Sequence, residues 1–229
     1  MKTISGLLKM VFWIFVGALV FHNFTARMLL QAGLAYKLGT GVEVDSARVD
    51  FLRSRVIFQD IEIKNPEGFP QGILARIPKI SMDFDIASLG AKTLRFKSVE
   101  VEASEIRILH QPDGRLNLLA LKVFENKSRP QESGAMKVYI SNLVLTLDKA
   151  VYLDLSRPGT GSREKVFDLG MRRMVYWNVR KLGDIAEIIG WETLKRMGLS
   201  SLSGGVLDRI REELGDFFDP PKLLRPAFS

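Results

Sequence analysis

The chain contains no cysteine and only two histidines among its 229 residues. Without cysteine it can form neither a disulfide framework nor a zinc or iron–sulfur site with thiolate ligands. The two histidines, His22 and His110, lie in segments of different character and are too few for a His-rich metal site. The composition therefore predicts no metal and no cofactor, and it excludes any mechanism that needs two clustered imidazoles.

Basic residues are numerous but are not grouped. The chain has 33 Lys and Arg against 26 Asp and Glu, a formal net charge of +7, yet no run of four or more basic residues occurs. Nucleic-acid binding is not expected, because no recognition motif accompanies the charge. The surplus fits either a solvated surface or attraction to anionic lipid headgroups, and the sequence leaves both open.

Residues that could do chemistry occur in patterns with simpler explanations. Asp83 and Asp85 alternate with apolar residues, as the solvated face of a strand requires, and so do Glu100 and Glu102. The triplet Gly159–Thr160–Gly161 lacks the GK[ST] ending of a phosphate-binding loop and fits a turn. We therefore predict no catalytic residue and no enzymatic activity.

A long apolar stretch lies near the N-terminus. Met10–Phe21 reads MVFWIFVGALVF, and extension from Ile4 to Phe24 gives about 20 residues, the length that a spanning helix needs. A cleavable signal peptide is the main alternative, but bulky Phe24 occupies the −3 position of the best cleavage site. We predict an uncleaved anchor, which the flanking charges do not clearly orient. The predicted anchor residues are Leu7, Leu8, Val11, Phe12, Trp13, Ile14, Phe15, Val16, Leu19, Val20 and Phe21.

Helical spacing continues beyond the anchor. Apolar residues recur on one face as far as Tyr36, and Gly39 is expected to end the helix. Such a helix either lies on a membrane or packs over one end of the following domain, which is the commoner use. We assign residues 1–38 to the anchor and this amphipathic helix. The residues at helical spacing are Phe24, Met28, Leu29, Ala32, Ala35 and Tyr36.

From residue 42 to residue 155 the apolar period changes to two, which is typical of half-buried strands. An apolar-x-apolar-x-x-apolar-x-apolar pattern also occurs three times, with starts 38 and 44 residues apart. The two-residue gap would turn the second apolar pair to the opposite face. We therefore predict a β-bulge in each gap, which bends the sheet. The copies are Val56–Phe58–Ile61–Ile63, Leu94–Phe96–Val99–Val101 and Val138–Ile140–Leu143–Leu145, with bulges at Gln59–Asp60, Lys97–Ser98 and Ser141–Asn142.

Residues from about Met174 onward return to helical spacing and predict C-terminal helices over one face or end of the sheet. The predicted fold class is α+β, with an N-terminal transmembrane helix, a curved antiparallel β-sheet of β-groove type, and C-terminal helices. The curved sheet domain is placed at residues 39–170 and the helical region at residues 171–229.

The segment from Thr40 to Leu121 resembles the N-terminal unit of the bacterial AsmA-like family. Together with the anchor helix that precedes it, the segment keeps five features in order, the other four being TGVEVDSARV, FQDIEIKNPEGF, ARIPKISMDFDIASLGAKTLRFKSVEVEASEI and PDGRLNLLAL. Its most distinctive parts are the turn Asn65–Pro66–x–Gly68–Phe69 and the ending Asp113–Gly114–x–x–Asn117–Leu118. The resemblance implies a single-pass protein of the bacterial inner membrane, with most of the chain in the periplasm. Larger relatives form apolar β-grooves linked to lipid transport or outer-membrane assembly.

Two functional hypotheses follow. The first is a module that binds or helps to move membrane lipids, because a bent apolar sheet lies next to a bilayer anchor. The alternative is a structural or assembly adaptor without lipid, in which the C-terminal helices fill the apolar face and a sheet edge docks an envelope protein or a second copy. The candidate lipid-contacting residues are Phe58, Ile80, Met82, Phe84, Phe96, Val99, Ile140 and Leu145.

Overall fold

The computed structural model describes residues 21–88, 93–125, 137–156, 163–180 and 182–199. A helix, α1, covers residues 21–38 and leads into the sheet. The six strands are β1 (Val42–Asp50), β2 (Arg55–Lys64), β3 (Ile73–Phe84), β4 (Thr93–His110), β5 (Lys137–Asp154) and β6 (Arg163–Val179). The other helices are a single turn, α2 (Lys122–Glu125), and α3 (Leu182–Arg196), with a 3₁₀ turn at Ile86–Ser88.

The six strands form one mixed sheet in sequence order. Neighbouring strands are antiparallel except for β4 and β5, which run parallel along their whole length. A parallel pair needs a crossover connection of about a dozen residues or more. The chain between His110 and Lys137 exceeds that length, whereas short connections make the other pairs antiparallel.

The predicted fold class is wrong. The sheet is mixed, helices are few, and among the described residues no helix is both long enough and apolar enough to cross a membrane. Strand β6 extends past residue 171 into the segment that was predicted to be helical. The prediction missed this strand because its charged residues and its irregular pairing hide the period of two. Of the predicted anchor residues, Phe21 belongs to α1, and those from Leu7 to Val20 lie outside the described residues.

The offset between the second and third copies of the internal repeat equals the register of the parallel pair β4 and β5. Every paired residue of β4 faces the residue 44 positions later in β5. Phe96 therefore lies beside Ile140, and Val101 lies beside Leu145. The second and third copies of the repeat thus stand side by side, with equivalent residues as neighbours.

Backbone irregularities occur at two of the three gaps of the repeat. Phe84 pairs with Phe96 and Asp83 pairs with Ser98, so Lys97 is an extra residue and the β-bulge predicted there is confirmed. The register does not shift at the other two gaps, so the β-bulges predicted at Gln59–Asp60 and Ser141–Asn142 are wrong. In the first gap Asp60 instead adopts a left-handed φ of 51°. The apolar residues on both sides of each gap share one core, so the face remains continuous.

Helices cover this apolar face. Ile188, Trp191 and Leu194 of α3 are buried in the same cluster as the inward residues of β5 and β6. Gly190 allows close packing, because a Cβ there would lie 2.8 Å from the Phe124 ring of α2. Leu38 closes the core from the end of α1.

Candidate lipid-binding surface

The eight predicted lipid-contacting residues come together on one face. Phe58 pairs with Ile80, Met82 pairs with Val99, and Phe96 lies between partners on β3 and β5. All eight belong to the core cluster, and none is more than 8% exposed. In this structure they pack against protein, so a lipid could reach them only if the covering segments moved.

Among the described residues, exposed large apolar side chains are most numerous on α1. Its solvent-facing side carries five large apolar or aromatic residues at helical spacing, which together we call the α1 stripe. Most residues of its sheet-facing side are smaller or polar, including Asn23 and Arg27. The sequence predicted the helix, but the stripe faces solvent and does not pack on the domain. The α1 stripe consists of Phe21, Phe24, Met28, Leu29 and Tyr36.

Polar contacts set the rotation of α1. The Asn23 Oδ1 accepts a hydrogen bond of 2.8 Å from the backbone N–H of Val49, and the Arg27 guanidinium donates one of 3.0 Å to the carbonyl of Asp45. Both backbone groups belong to β1, the edge strand. Because an unpaired edge group gains from such a partner, these bonds hold Asn23 and Arg27 toward the sheet and direct the opposite side of the helix to solvent.

The turn between β1 and β2 adds to the exposed surface. Phe51 is half exposed and Leu52 is 99% exposed, and we call these two residues the hairpin tip. The ring of His22 lies 5.5 Å from that of Phe51, which places the hairpin tip beside the start of α1. The α1 stripe and the hairpin tip together form what we call the docking surface.

Basic groups border the docking surface. The Arg27 guanidinium lies 5.6 Å from the centre of the Phe24 ring. Near the other end of α1, the ammonium groups of Lys122 and Lys37 lie 4.5 and 5.9 Å from the centre of the Tyr36 ring. Aromatic and aliphatic side chains with a basic border are typical of helices that lie at a lipid–water interface.

The two sheet edges are poorly suited to accept another strand. Side chains of α1 occupy backbone groups of β1. Strand β6 changes register twice against β5, near left-handed residues Gly170 and Arg173. Arg196 of α3 also donates a hydrogen bond of 2.9 Å to the carbonyl of Leu169. Irregular or covered edges oppose strand addition, so the geometry does not favour docking of a partner strand.

The two motifs that carried the AsmA-like resemblance meet in the structure. Asn117 is fully buried, and its Nδ2 donates to the Oδ1 of Asn65 at 2.8 Å and to the carbonyl of Arg107 at 2.9 Å. Its Oδ1 accepts from the backbone N–H groups of Leu109 and Leu118. All the main hydrogen-bonding capacity of this amide is used, so the motif joins the β2–β3 loop to the end of β4.

His110 has partners that the sequence analysis missed. Its Nδ1 lies 2.9 Å from the Tyr152 hydroxyl and 3.5 Å from a carboxylate oxygen of Asp154, and its side chain is 15% exposed. The repeat offset of 44 residues places position 110 opposite position 154, so this signal was present in the sequence. The contact ties the ends of β4 and β5 together.

Comparison with known proteins finds no match to this chain among protein-family models, curated proteins or solved structures. The AsmA-like resemblance therefore stays a prediction.

Proposed function

We propose that this chain is a non-enzymatic module that binds lipid bilayers through the docking surface. The observation that carries the proposal is the outward apolar face of α1, which lies next to the exposed hairpin tip. Burial of one large apolar side chain is worth about 1.5–3 kcal/mol. Several such side chains on one surface make transfer to a lipid interface favourable, whereas their exposure to water is costly.

A bilayer explains the composition of the surface better than a partner strand does. The sheet edges are covered or irregular, while the docking surface combines rings, aliphatic chains and a basic border. The apolar stretch Met10–Phe21 ends at the first residue of the α1 stripe and extends its apolar character in sequence. The inner-membrane and periplasmic location implied by the AsmA-like resemblance is compatible with this function, but bilayer docking does not require it.

Movement of lipid along the sheet is less well supported than bilayer binding. The residues predicted to line a groove are buried in a packed core that includes α3. Lipid contact is therefore assigned to the outside of the molecule, at α1 and the hairpin tip. Membrane lipids remain the proposed partner, as in the first hypothesis.

The absence of cysteine permits a direct test with single nitroxide labels. The variants are Leu52→Cys in the hairpin tip, Met28→Cys in the α1 stripe and, as control, Val166→Cys at an exposed apolar position on β6. The labelled full chain is bound to phosphatidylcholine–phosphatidylglycerol vesicles, and nitroxide collisions with oxygen and with a water-soluble nickel complex are compared.

We expect oxygen to dominate at positions 52 and 28, because oxygen concentrates in lipid, and the nickel complex to dominate at position 166. Accessibility at positions 52 and 28 equal to that at position 166 would overturn the proposal. The comparison reports local insertion, so other apolar segments of the chain cannot produce the result on their own.

A further inference from the structure

The last residue of the α1 stripe, Tyr36, has the ammonium groups of two lysines near its aromatic ring. Tyr36 is exposed, and the ammonium groups of Lys122 and Lys37 lie 4.5 and 5.9 Å from its ring centre. Lys37 follows Tyr36 on α1, whereas Lys122 begins α2 and is brought to the ring by the fold. Two positive charges therefore converge on one ring at the solvent boundary.

Close packing holds the second lysine in place. Gly39 ends α1 with a φ of +70°, and its N–H donates a hydrogen bond of 2.9 Å to the carbonyl of Ala35. A Cβ at Gly39 would lie 2.9 Å from the Cβ of Lys122. A larger residue would thus be strained in its backbone and would also push α2 away, so glycine allows the contact that positions Lys122.

Neither lysine forms an ion pair within the described residues. On the sheet, by contrast, Lys64, Lys79 and Lys149 each pair with a glutamate. A cation near a helix C-terminus is stabilising in itself, but that effect does not require two ammonium groups at one exposed ring. Two like charges that form no ion pair with the described residues make a site where an anion would be stabilised.

We propose that Lys37, Lys122 and Tyr36 bind the phosphate of an anionic lipid headgroup, an inference that rests on the bilayer docking proposed above. Tyr36 lies about 22 Å along α1 from Phe21, at a rise of 1.5 Å per residue. The site is thus continuous with the apolar stripe, and a lipid phosphate at its end would lie where headgroups meet the apolar phase. Phenol rings and lysines favour that boundary.

The test measures binding of short-chain lipids to the full chain in neutral-detergent micelles by native mass spectrometry. The probes are dihexanoyl phosphatidylglycerol and dihexanoyl phosphatidylcholine, which share a phosphodiester but differ in net charge. The variants are Lys37→Gln, Lys122→Gln and the double substitution. The matched control is Lys195→Gln, because the Lys195 ammonium also lies near an aromatic ring, 5.9 Å from the Trp191 ring centre, but belongs to α3 and not to the α1 stripe or the hairpin tip.

We expect the wild-type chain to prefer the anionic lipid, and each substitution to weaken its binding about fivefold, the effect of one cation near an anionic surface. Lys195→Gln should keep the wild-type preference. Equal binding of the two lipids by the wild-type chain, or equal effects of Lys195→Gln and the site variants, would overturn the assignment.

Inorganic phosphate distinguishes a free anion from a lipid. If phosphate at matched ionic strength displaces phosphatidylglycerol at comparable concentration, the site recognises free phosphate and the lipid assignment is wrong. If the lipid-binding test contradicts the headgroup site but the nitroxide labels still insert, bilayer docking is retained and only the headgroup site is rejected. If the labels at positions 52 and 28 do not insert but the chain still prefers phosphatidylglycerol, bilayer docking is rejected and an anion-binding site at the lysines is retained.

Discussion

Glu105 is a nearly buried carboxylate between two cations. It accepts hydrogen bonds from Lys149 Nζ at 2.8 Å and from Arg107 Nε at 2.5 Å. The hydrogen bond from Lys149, followed by that from Arg107, holds the pKa of Glu105 below its ordinary value, although burial acts in the opposite direction. The carboxylate links the neighbouring strands β4 and β5, which makes the parallel pair sensitive to acid.

The lowered pKa of Glu105 predicts a pH dependence of the free energy of unfolding. A carboxyl group whose folded pKa is lowered contributes stability above its unfolded pKa, and the contribution is lost as the pH falls through the folded pKa. We expect wild-type protein to lose more free energy of unfolding between neutral pH and acid than Glu105→Gln does, in urea unfolding at a series of pH values.

Glu102→Gln provides the control, since the half-exposed Glu102 carboxylate pairs with one cation, Lys79 on the neighbouring strand β3. That variant should retain the steep acid dependence of the wild-type protein. If Glu105→Gln retained it equally, the carboxylate between Lys149 and Arg107 would not be its source.

At the scale of the element, one side of α1 contacts the sheet and the other side is exposed. One side is attached to β1 by Asn23 and Arg27 and packs small and aliphatic residues against the core. The other side carries the α1 stripe. An ordinary surface helix has its apolar side inward, so the outward stripe marks a surface that gains from an apolar partner.

Strand β2 contains a residue with an unusual backbone conformation. Asp60 has a φ of 51° and lies between Phe58 and Ile61, which both face the core. The left-handed conformation permits this change of facing without loss of register. Aspartate tolerates it better than most residues, whereas β-branched residues do not.

The effect of a substitution at Asp60 should therefore depend on the backbone preference of the new residue. We expect Asp60→Gly to leave stability unchanged or slightly raised, and Asp60→Val to lower the free energy of unfolding by roughly 1–2 kcal/mol. Thermal and urea unfolding of the two variants provide the measurement. Equal stability of the glycine and valine variants would show that the strand does not require a left-handed residue at this position.

At the scale of the whole molecule, one apolar face is enclosed and another is exposed. The inward side of the sheet and residues of the helices pack into a single core, and the candidate groove residues belong to it. The docking surface lies outside that core. Structural stability and the proposed lipid contact therefore depend on different residues and can be separated by mutation.

Phe96→Asp tests the enclosed face. Phe96 is buried between Phe84 and Ile140, so a charge there has no solvent and no partner. We expect loss of cooperative folding, or destabilisation by about 4 kcal/mol or more, measured by circular dichroism and urea unfolding. Leu52→Asp is the control and should fold normally, because Leu52 is exposed. A stably folded Phe96→Asp protein would indicate an open groove.

Local patterns in the sequence were sufficient for several parts of the fold. A period of two predicted the strands, because alternate side chains of a strand point to opposite faces. The repeat offset of 44 residues matches the β4–β5 register, and the gap at Lys97 gave the position of a bulge. The helical spacing up to Tyr36 and the glycine at position 39 predicted α1 and its end, because these depend on neighbouring residues.

Tertiary structure alone decided the relative direction of the strands, which apolar face of the sheet is buried, and which side of α1 is exposed. Strands β4 and β5 are parallel because of how the intervening chain crosses, which their own residues do not encode. Phe96 and its neighbours became core because residues distant in the sequence, including those of α3, join the same buried cluster, although their pattern fits an open groove equally well. The α1 stripe faces outward because Asn23 and Arg27 bond to the backbone of β1. The sequence by itself determined which faces are apolar, and long-range packing decided which of them remains free to meet a lipid.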